Sequence, residues 1–216
     1  DGELLPVPAM CIGYEDGLTI KESLQQGNPV SIKIEMTNYS GPIKARNIIA
    51  TLPGSELPDE EVIIGGHLDS WDLATGAIDN GIGSFAVLDI ARTFIANNLQ
   101  PKRTTKFVLF MGEEQGLLGS RHFVNEANKA GAIDRIKFMM NLDMSGNPIG
   151  INIASPNADS VFFEGLNARL MQIDTVYKGG YGNRAGLHSD HQPFMLAGIP
   201  IMSVRSNLDR SIYRCY

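Results

Sequence analysis

The segment that decides the fold is Val62-Ile63-Ile64-Gly65-Gly66-His67-Leu68-Asp69, in which a short apolar run leads into a histidine and an acidic residue. Nearly continuous apolar runs of this length are typical of strands that are buried on both faces of a sheet. Four further runs share this character: residues 48–52, 107–110, 138–142 and 199–204. Together the five runs predict the strands of one buried sheet.

Segments with apolar residues at helical spacing lie between these runs. In residues 83–97, the side chains of Phe85, Leu88 and Phe94 share one helical stripe. A second helix is predicted to begin near Leu117, and a third covers residues 161–173. Strands that alternate with helices form βαβ units. We therefore predict an α/β fold with a mostly parallel mixed sheet flanked by helices on both faces.

The first forty-two residues have a different pattern. Their spacing predicts a short helix over residues 16–26, ended by Gly27-Asn28-Pro29. Residues 30–36 then alternate between apolar and polar side chains, which predicts a half-exposed strand. Turn-forming residues at 39–42 mark a boundary. We predict two domains, a small α+β piece over residues 1–42 and a larger domain over residues 43–216.

Composition narrows the class of protein. Of the 216 residues, 43% are hydrophobic and 19% are charged, and no run reaches the roughly 18 to 20 apolar residues of a membrane-spanning helix. The net charge of −6 argues against a surface that binds nucleic acid. Cys11 and Cys215 form no Cys-x-x-Cys pair, which excludes a zinc ribbon or a redox dithiol. We predict a globular protein without membrane insertion or nucleic-acid binding.

Titratable side chains follow three of the predicted strands. Open α/β sheets bind ligands beyond the carboxyl ends of their strands, so we expect these side chains to lie close together. A further acid lies in a glycine-rich loop before the first predicted helix of the larger domain. The residues concerned are His67, Asp69, Asp79, Glu113, Glu114 and Asp143.

So many carboxylates at one place would be unfavourable without a compensating cation. Imidazole and carboxylate groups are ligands of zinc in hydrolases, and manganese or cobalt would also fit. Taken singly, the motifs have ordinary structural interpretations: His-x-Asp as a surface pair, Glu-Glu as the first turn of a helix, Asp-Asn-Gly as a turn. Their joint placement at predicted strand ends favours a metal site.

These motifs resemble a known family. Residues 65–72, 76–81, 112–120 and 141–144 resemble, in order, the successive motifs of metallopeptidase family 28. Ser70-Trp71-Asp72 points to the carboxypeptidase Q-like branch. The resemblance covers residues 45–216 and implies the zinc exopeptidase fold. Residues 1–42 more weakly resemble the end of the protease-associated domain that is often inserted in these enzymes.

The resemblance also implies roles for single residues. His67 and Asp143 would hold one zinc ion, Asp79 would bridge two ions, and Glu114 would hold the second. Glu113 would be the general base. Asp69 would be the carboxylate that orients the ring of His67. Two Zn²⁺ ions per site are thus expected, with a peptide as substrate.

One ligand of the family's pattern lies outside this sequence. The resemblance implies a later histidine on the second zinc, and we expect it beyond Tyr216, in a longer protein whose catalytic domain continues there. The chain by itself is accordingly expected to be a poor catalyst. His188 and His191 leave three interpretations open: wall of the substrate cleft, helix cap or metal ligand.

Several functions remain open at this point. The leading one is a zinc exopeptidase acting on dipeptides or short peptides, and the others are an aminopeptidase acting on longer peptides and a non-catalytic binding module. A glutaminyl cyclase-like acyltransferase shares the fold, but the intact first motif at His67 argues against it. The resemblance implies an extracytoplasmic location, periplasmic or secreted, and oligomers are possible.

Overall fold

The structure is a computed structural model that describes residues 7, 9–37, 41–72, 74–155, 160–184 and 186–208. The chain divides into two compact units, Asp1–Ile43 and Lys44–Tyr216. Each unit is described by itself below.

Among the described residues of the first unit, one helix, α1, covers Tyr14–Gln25. Glu15 and Asp16 lie in its first turn, where negative charge is favourable, and Gly27 follows its end with a positive φ of 77°. The predicted strand over residues 30–36 is wrong, because these residues have no regular secondary structure. A strand needs a neighbour for its N–H and C=O groups, and no other strand occurs in the described residues of this unit.

The second unit is built on a seven-stranded mixed sheet in the order β1-β3-β2-β4-β7-β5-β6. Strands β3, β2, β4 and β7 are parallel; β1 is antiparallel to β3 at one edge, and β5 is antiparallel to β7 near the other. β5 and β6 are parallel to each other. The strands are β1 Ile48–Leu52, β2 Leu57–His67, β3 Arg103–Phe110, β4 Ile136–Asn141, β5 Pro148–Ala154, β6 Gly180–Gly182 and β7 Ile201–Ser206.

Helices cover both faces of this sheet. They are α2 Ile82–Ala96, α3 Leu118–Lys129, α4 Ser160–Ile173 and α5 His191–Leu196, with a π-helical turn at Ala77–Gly81 and a 3₁₀ turn at Ile133–Arg135. The predicted fold class is confirmed.

The core forms on both faces because successive strand residues point to opposite sides. Ile63 packs with Phe110 and Phe194 against α3 and α5, whereas Ile64 packs with Val87 against α2. A third cluster lies between β5, β7 and α4. Continuous apolar runs in the central strands therefore have a direct structural reason.

The second unit differs from the sequence-based prediction in three respects. β1 is not buried on both faces, since Ile48 and Ile49 are 54% and 47% exposed in this antiparallel edge strand. Residues 191–196 form a helix, α5, which the sequence pattern did not indicate. Strands β5 and β6 were not predicted, because glycine and asparagine interrupt their apolar pattern. Within the described residues, none of the helices combines the length and apolar character needed to cross a bilayer.

Candidate metal centre

The predicted metal ligands meet at the carboxyl edge of the sheet. His67 is the last residue of β2, Asp143 follows the end of β4, and Glu113 and Glu114 follow the end of β3. These three strands are adjacent and parallel, so their ends lie side by side. Asp79 joins them from the π-helical turn that precedes α2.

Distances show how closely the ligand atoms approach. Nε2 of His67 lies 2.9 Å from Oδ1 of Asp79 and 3.5 Å from Oδ1 of Asp143. His67, Asp79 and Glu114 each offer one ligand atom, and these three atoms lie within 4.8 Å of one another. His67 is 1% exposed and Asp79 7%. The four side chains that the sequence suggested as metal ligands are thus neighbours in one cluster, in which His67 and Asp79 are buried and Glu114 and Asp143 are partly buried.

The ring of His67 is oriented by its own loop. Nδ1 is 2.9 Å from the main-chain oxygen of Asp69, an arrangement in which Nδ1–H donates and Nε2 is the nitrogen that faces the carboxylates. An imidazole held in this way is prepared to bind a metal through Nε2.

Without a cation, the cluster holds protons tightly. Burial alone would lower the pKa of His67, but the adjacent Asp143 and Asp79 outweigh burial and raise it to about 11. Burial raises the pKa of Glu113 to about 8, helped by Asp143, although the charge of His67 opposes the shift. Burial and the charge of Asp79 also raise the pKa of Glu114. The site therefore favours positive charge, either as protons or as metal.

The residues fit a divalent metal ion. The Oε1 atom of Glu114 is buried and accepts no hydrogen bond from the residues that the structure describes. An unpaired buried carboxylate oxygen beside other convergent ligand atoms is unfavourable unless a cation binds there. One imidazole nitrogen and several carboxylate oxygens form a donor set that zinc accepts.

Asn80 is a structural residue of this site that the sequence did not single out. It is buried, and its Nδ2 donates to the main-chain oxygens of Leu142 at 2.9 Å and His67 at 3.3 Å. Its Oδ1 accepts from the amides of Gly83 at 3.2 Å and Met144 at 3.1 Å. One amide group thus ties together the ends of β2 and β4 and the start of α2. Its position next to Asp79, inside the second motif, was the available signal.

Small residues let α2 approach this edge closely. A Cβ atom at Gly83 would lie 2.1 Å from the main-chain oxygen of Leu142, so only glycine fits here. Ser84 donates to the main-chain oxygen of His67 at 2.6 Å, and Ser70 donates to that of Asp79 at 2.7 Å. These contacts fix the backbone of two metal-ligand candidates.

Asp69 contacts the neighbouring loop more than it contacts the histidine. Its carboxylate accepts hydrogen bonds from the amides of Gly112, Glu113 and Glu114 at 2.9 to 3.2 Å. Oδ1 lies 3.9 Å from Nδ1 of His67, beyond hydrogen-bond distance. The main chain of Asp69, not its carboxylate, orients the imidazole ring.

His191 does not face the metal ligands with a free nitrogen. Nε2 is 2.7 Å from the main-chain oxygen of Gly186, and Nδ1 is 3.2 Å from Nδ2 of Asn141, which also binds the hydroxyl of Ser189. Burial lowers the pKa of His191, which disfavours the charged form of the ring. Both nitrogens are used within the protein, which favours a structural role over metal binding.

A cleft of about 260 Å³ opens beside the two glutamates. It is lined by Glu113, Glu114, Gly116, Leu117, Arg121, Leu187, His188 and Gln192. The carboxylates of Glu113 and Glu114 give the cleft negative charge, and the guanidinium of Arg121 gives it positive charge. A larger cavity of about 640 Å³ between β1 and α3 contains none of the predicted site residues.

Comparisons with known proteins identify relatives over most of the chain. Residues 47–214 match the model of peptidase family M28. Carboxypeptidase Q of Mus musculus is 32% identical over 207 residues, which are 94% of this chain and 42% of the mouse protein. The chain thus spans less than half the length of this curated relative.

Solved structures agree with this similarity. A peptidase M28 precursor from Shewanella amazonensis superposes with a TM-score of 0.62 at 32% identity, over 79% of this chain and 37% of the other. A zinc aminopeptidase from Bacillus subtilis superposes with a TM-score of 0.61 at 25% identity, over 76% and 42%. The fold of this chain is therefore similar to that of a solved zinc aminopeptidase.

Proposed function

Because the chain belongs to peptidase family M28, in its carboxypeptidase Q-like branch, we propose that it forms the metal-binding core of a zinc-dependent exopeptidase. The observation that carries this proposal is the meeting of His67, Asp79, Glu114 and Asp143 at one sheet edge, with Glu113 beside them in an open cleft. His67 and Asp143 would hold one zinc ion, Glu114 a second, and Asp79 both.

Zinc bound there would polarise the scissile carbonyl group and make a water molecule more acidic. Glu113 is the general base in this proposal. Its carboxyl group lines the cleft beside the metal-ligand candidates, and a carboxylate placed there can accept a proton and return it. It takes a proton from the attacking water as the C–O bond forms, and gives it to the leaving amine as the C–N bond breaks.

We propose dipeptides or other short peptides as substrates. The cleft is small, and the guanidinium of Arg121, which lines it, can bind a substrate carboxylate. A free C-terminus close to the scissile bond would then be recognised together with the bond itself.

An aminopeptidase that acts on longer peptides is the second candidate. The similarity to the zinc aminopeptidase of Bacillus subtilis supports it. Comparison of a dipeptide with its C-terminal amide separates the two modes. If Arg121 binds the carboxylate, amidation and Arg121→Gln should each raise KM about tenfold and leave kcat nearly unchanged. An aminopeptidase that acts on longer peptides would hydrolyse the dipeptide and its C-terminal amide equally well.

The main test is dipeptide hydrolysis by the full-length protein. Activity should disappear with a chelator and return with zinc. Glu113→Gln should lower kcat about 10²- to 10⁴-fold while the zinc content by elemental analysis stays unchanged. Glu126→Gln, on the exposed face of α3, is the matched control and should have no effect. A folded protein that binds zinc but hydrolyses no peptide would contradict the proposal and favour a binding module.

Three further assignments stay predictions from the sequence. They are a protease-associated-like domain for residues 1–42, an additional histidine ligand outside this sequence, and an extracytoplasmic location. Zinc titration of the full-length protein tests the additional ligand. A complete site should bind two equivalents of zinc, and Asp79→Ala should lose both.

A further inference from the structure

The loop that carries Glu113 and Glu114 is held by two side chains from distant parts of the sequence. We propose that Asn47 and Asp69 are positioning residues that fix this loop, residues 111–119, in the geometry that Glu113 and Glu114 need. This inference rests on the proposed function, because it gives the two glutamates their roles as base and ligand.

Asp69 holds the middle of the loop. Its Oδ1 accepts from the amides of Gly112 at 2.9 Å and Glu113 at 3.2 Å, and its Oδ2 accepts from the amide of Glu114 at 3.2 Å. Three successive amides can point at one anion only if the backbone forms a concave nest, and Gly112 permits this with a φ of 75°. The carboxylate thereby fixes the backbone of the base and of the metal ligand together.

The same carboxylate has little to do with His67. The ring's Nδ1 already donates to the main-chain oxygen of Asp69 at 2.9 Å, while the nearest carboxylate oxygen is 3.9 Å away. Replacing the carboxylate by an amide leaves that main-chain contact in place. The main-chain oxygen of Asp69 therefore orients the ring of His67, and its carboxylate binds the amides of the loop.

Asn47 holds the two ends of the loop. It lies just before β1, and its Oδ1 accepts from the amide of Met111 at 3.1 Å while its Nδ2 donates to the main-chain oxygen of Gly119 at 2.9 Å. A Cβ atom at Gly119 would lie 2.3 Å from Oδ1 of Asn47, so glycine is required for this closure. One amide side chain thus sets the distance between the end of β3 and the start of α3.

Neither residue lines the cleft beside Glu113. The loop's own hydrogen bonds are few: the amides of Gly116 and Leu117 bind the main-chain oxygen of Glu113, and that of Leu118 binds Gly112. These local contacts shape a turn but do not tie it to β2 or β1. Asn47 and Asp69 supply those ties, so their effect on the reaction is through the position of the two glutamates.

Amide hydrogen exchange in the zinc-loaded full-length protein tests the tethers directly. Asp69→Asn should speed exchange of the amides of residues 112–114 about tenfold or more, and Asn47→Ala should do the same at Met111. Both variants should lower kcat roughly 10- to 100-fold with KM changed less than about twofold. Asn47→Ser, which keeps an acceptor, is the second variant if Asn47→Ala folds poorly.

Two matched controls remove similar hydrogen bonds elsewhere. Asp174→Asn replaces a carboxylate that accepts a hydrogen bond from the amide of Val176 at 2.8 Å. Asn97→Ala removes a side-chain amide that donates to the main-chain oxygen of Thr93 at 2.9 Å. Neither control should change exchange in residues 111–119 or alter kcat.

The inference would be overturned if Asp69→Asn left exchange at residues 112–114 unchanged and instead weakened zinc binding at His67, since the carboxylate would then act on the ring. Unchanged exchange at Met111 in both Asn47 variants would overturn the role of Asn47. If the wild-type protein hydrolyses no peptide, the proposed function fails, and the exchange rates by themselves still decide whether the tethers exist.

Discussion

The body of the sheet and its carboxyl edge both contain fully buried side chains, but the two regions are chemically opposite. In the body, Phe110 and Phe194 are 0% exposed and pack among apolar neighbours. At the edge, His67 is 1% exposed and Asp190 0%, among other titratable groups. The two regions are consecutive along the same strands, since β3 ends at Phe110 and Glu113 follows three residues later.

Burial of a side chain has opposite energetic consequences in the two regions. Removing apolar surface from water stabilises the fold, whereas removing carboxylates from water disfavours their charged form. Burial in the body of the sheet therefore stabilises the fold. The cluster at the edge destabilises the fold unless protons or a metal ion supply positive charge. Three measurements can test this contrast.

The largest effect is expected in the body. Phe194→Ala should lower the free energy of unfolding by about 3 to 5 kcal/mol, because it leaves a cavity between Phe110 and Phe123. Urea denaturation measures this, and the zinc content of the folded fraction should not change. Phe85, 70% exposed on α2, is the control, and Phe85→Ala should cost less than about 1 kcal/mol. Similar losses for both would mean that the aromatic cluster is not the main support of the sheet.

An effect of the opposite sign is expected at the edge. Burial raises the pKa of Asp190 to about 7, although the nearby Ser120 and the charge of His67 oppose this shift. Because the pKa is higher in the folded state, protonation of Asp190 stabilises the fold in acid, and this stability is lost as the pH rises from about 4 through 7. Asp190→Asn removes that loss.

The metal-free Asp190→Asn protein should therefore be more stable than wild type at pH 8, by roughly 2 to 4 kcal/mol, and less different at pH 4. Thermal or urea unfolding at both pH values measures the difference. Asp174→Asn, at an exposed position, should show no such pH dependence. A destabilised variant at pH 8 would mean that the ionised carboxylate of Asp190 is stabilised by its surroundings, and the contrast between the two regions would fail there.

The smallest effect concerns competition between protons and zinc. His67 has a pKa of about 11 in the metal-free protein, so zinc must displace a proton at any pH below that value. The affinity for zinc should rise about tenfold per pH unit between pH 6 and 8, or about 1.4 kcal/mol, for each proton released. Competition with a chelator of known affinity measures it. His122→Gln, on the exposed side of α3, is the control and should leave the change of zinc affinity with pH as in wild type. A zinc affinity of the wild-type protein that does not change with pH would exclude His67 as a ligand.

Much of the fold followed from local patterns. The central strands are apolar over continuous runs because helices cover both faces, and the runs at residues 62–64 and 107–110 lie within β2 and β3. The pattern failed where local sequence and tertiary contacts differ. Residues 30–36 alternate like a strand but have no neighbouring strand in the described part of their unit, and β1 has an apolar run on an exposed edge.

The candidate site was predictable in its members but not in its supports. Histidine and acidic residues after buried strands, together with the family resemblance, suggested His67, Asp79, Glu113, Glu114 and Asp143. Asparagines are common in turns and have no characteristic spacing as tethers, so Asn47 and Asn80 gave no comparable signal.

The sequence by itself therefore determined the α/β class, the approximate position of the central strands and the residue types that gather at one edge. These follow from hydrophobic periodicity and from the rule that parallel strands end at a common edge. Only the tertiary structure decided which atoms touch. The carboxylate of Asp69 accepts hydrogen bonds from three amides that lie more than forty residues away in sequence. The side-chain amide of Asn47 binds both ends of the loop that connects β3 to α3. Such contacts depend on register and loop conformation, which are fixed when the strands pair and the helices pack, and no local pattern in the chain encodes them.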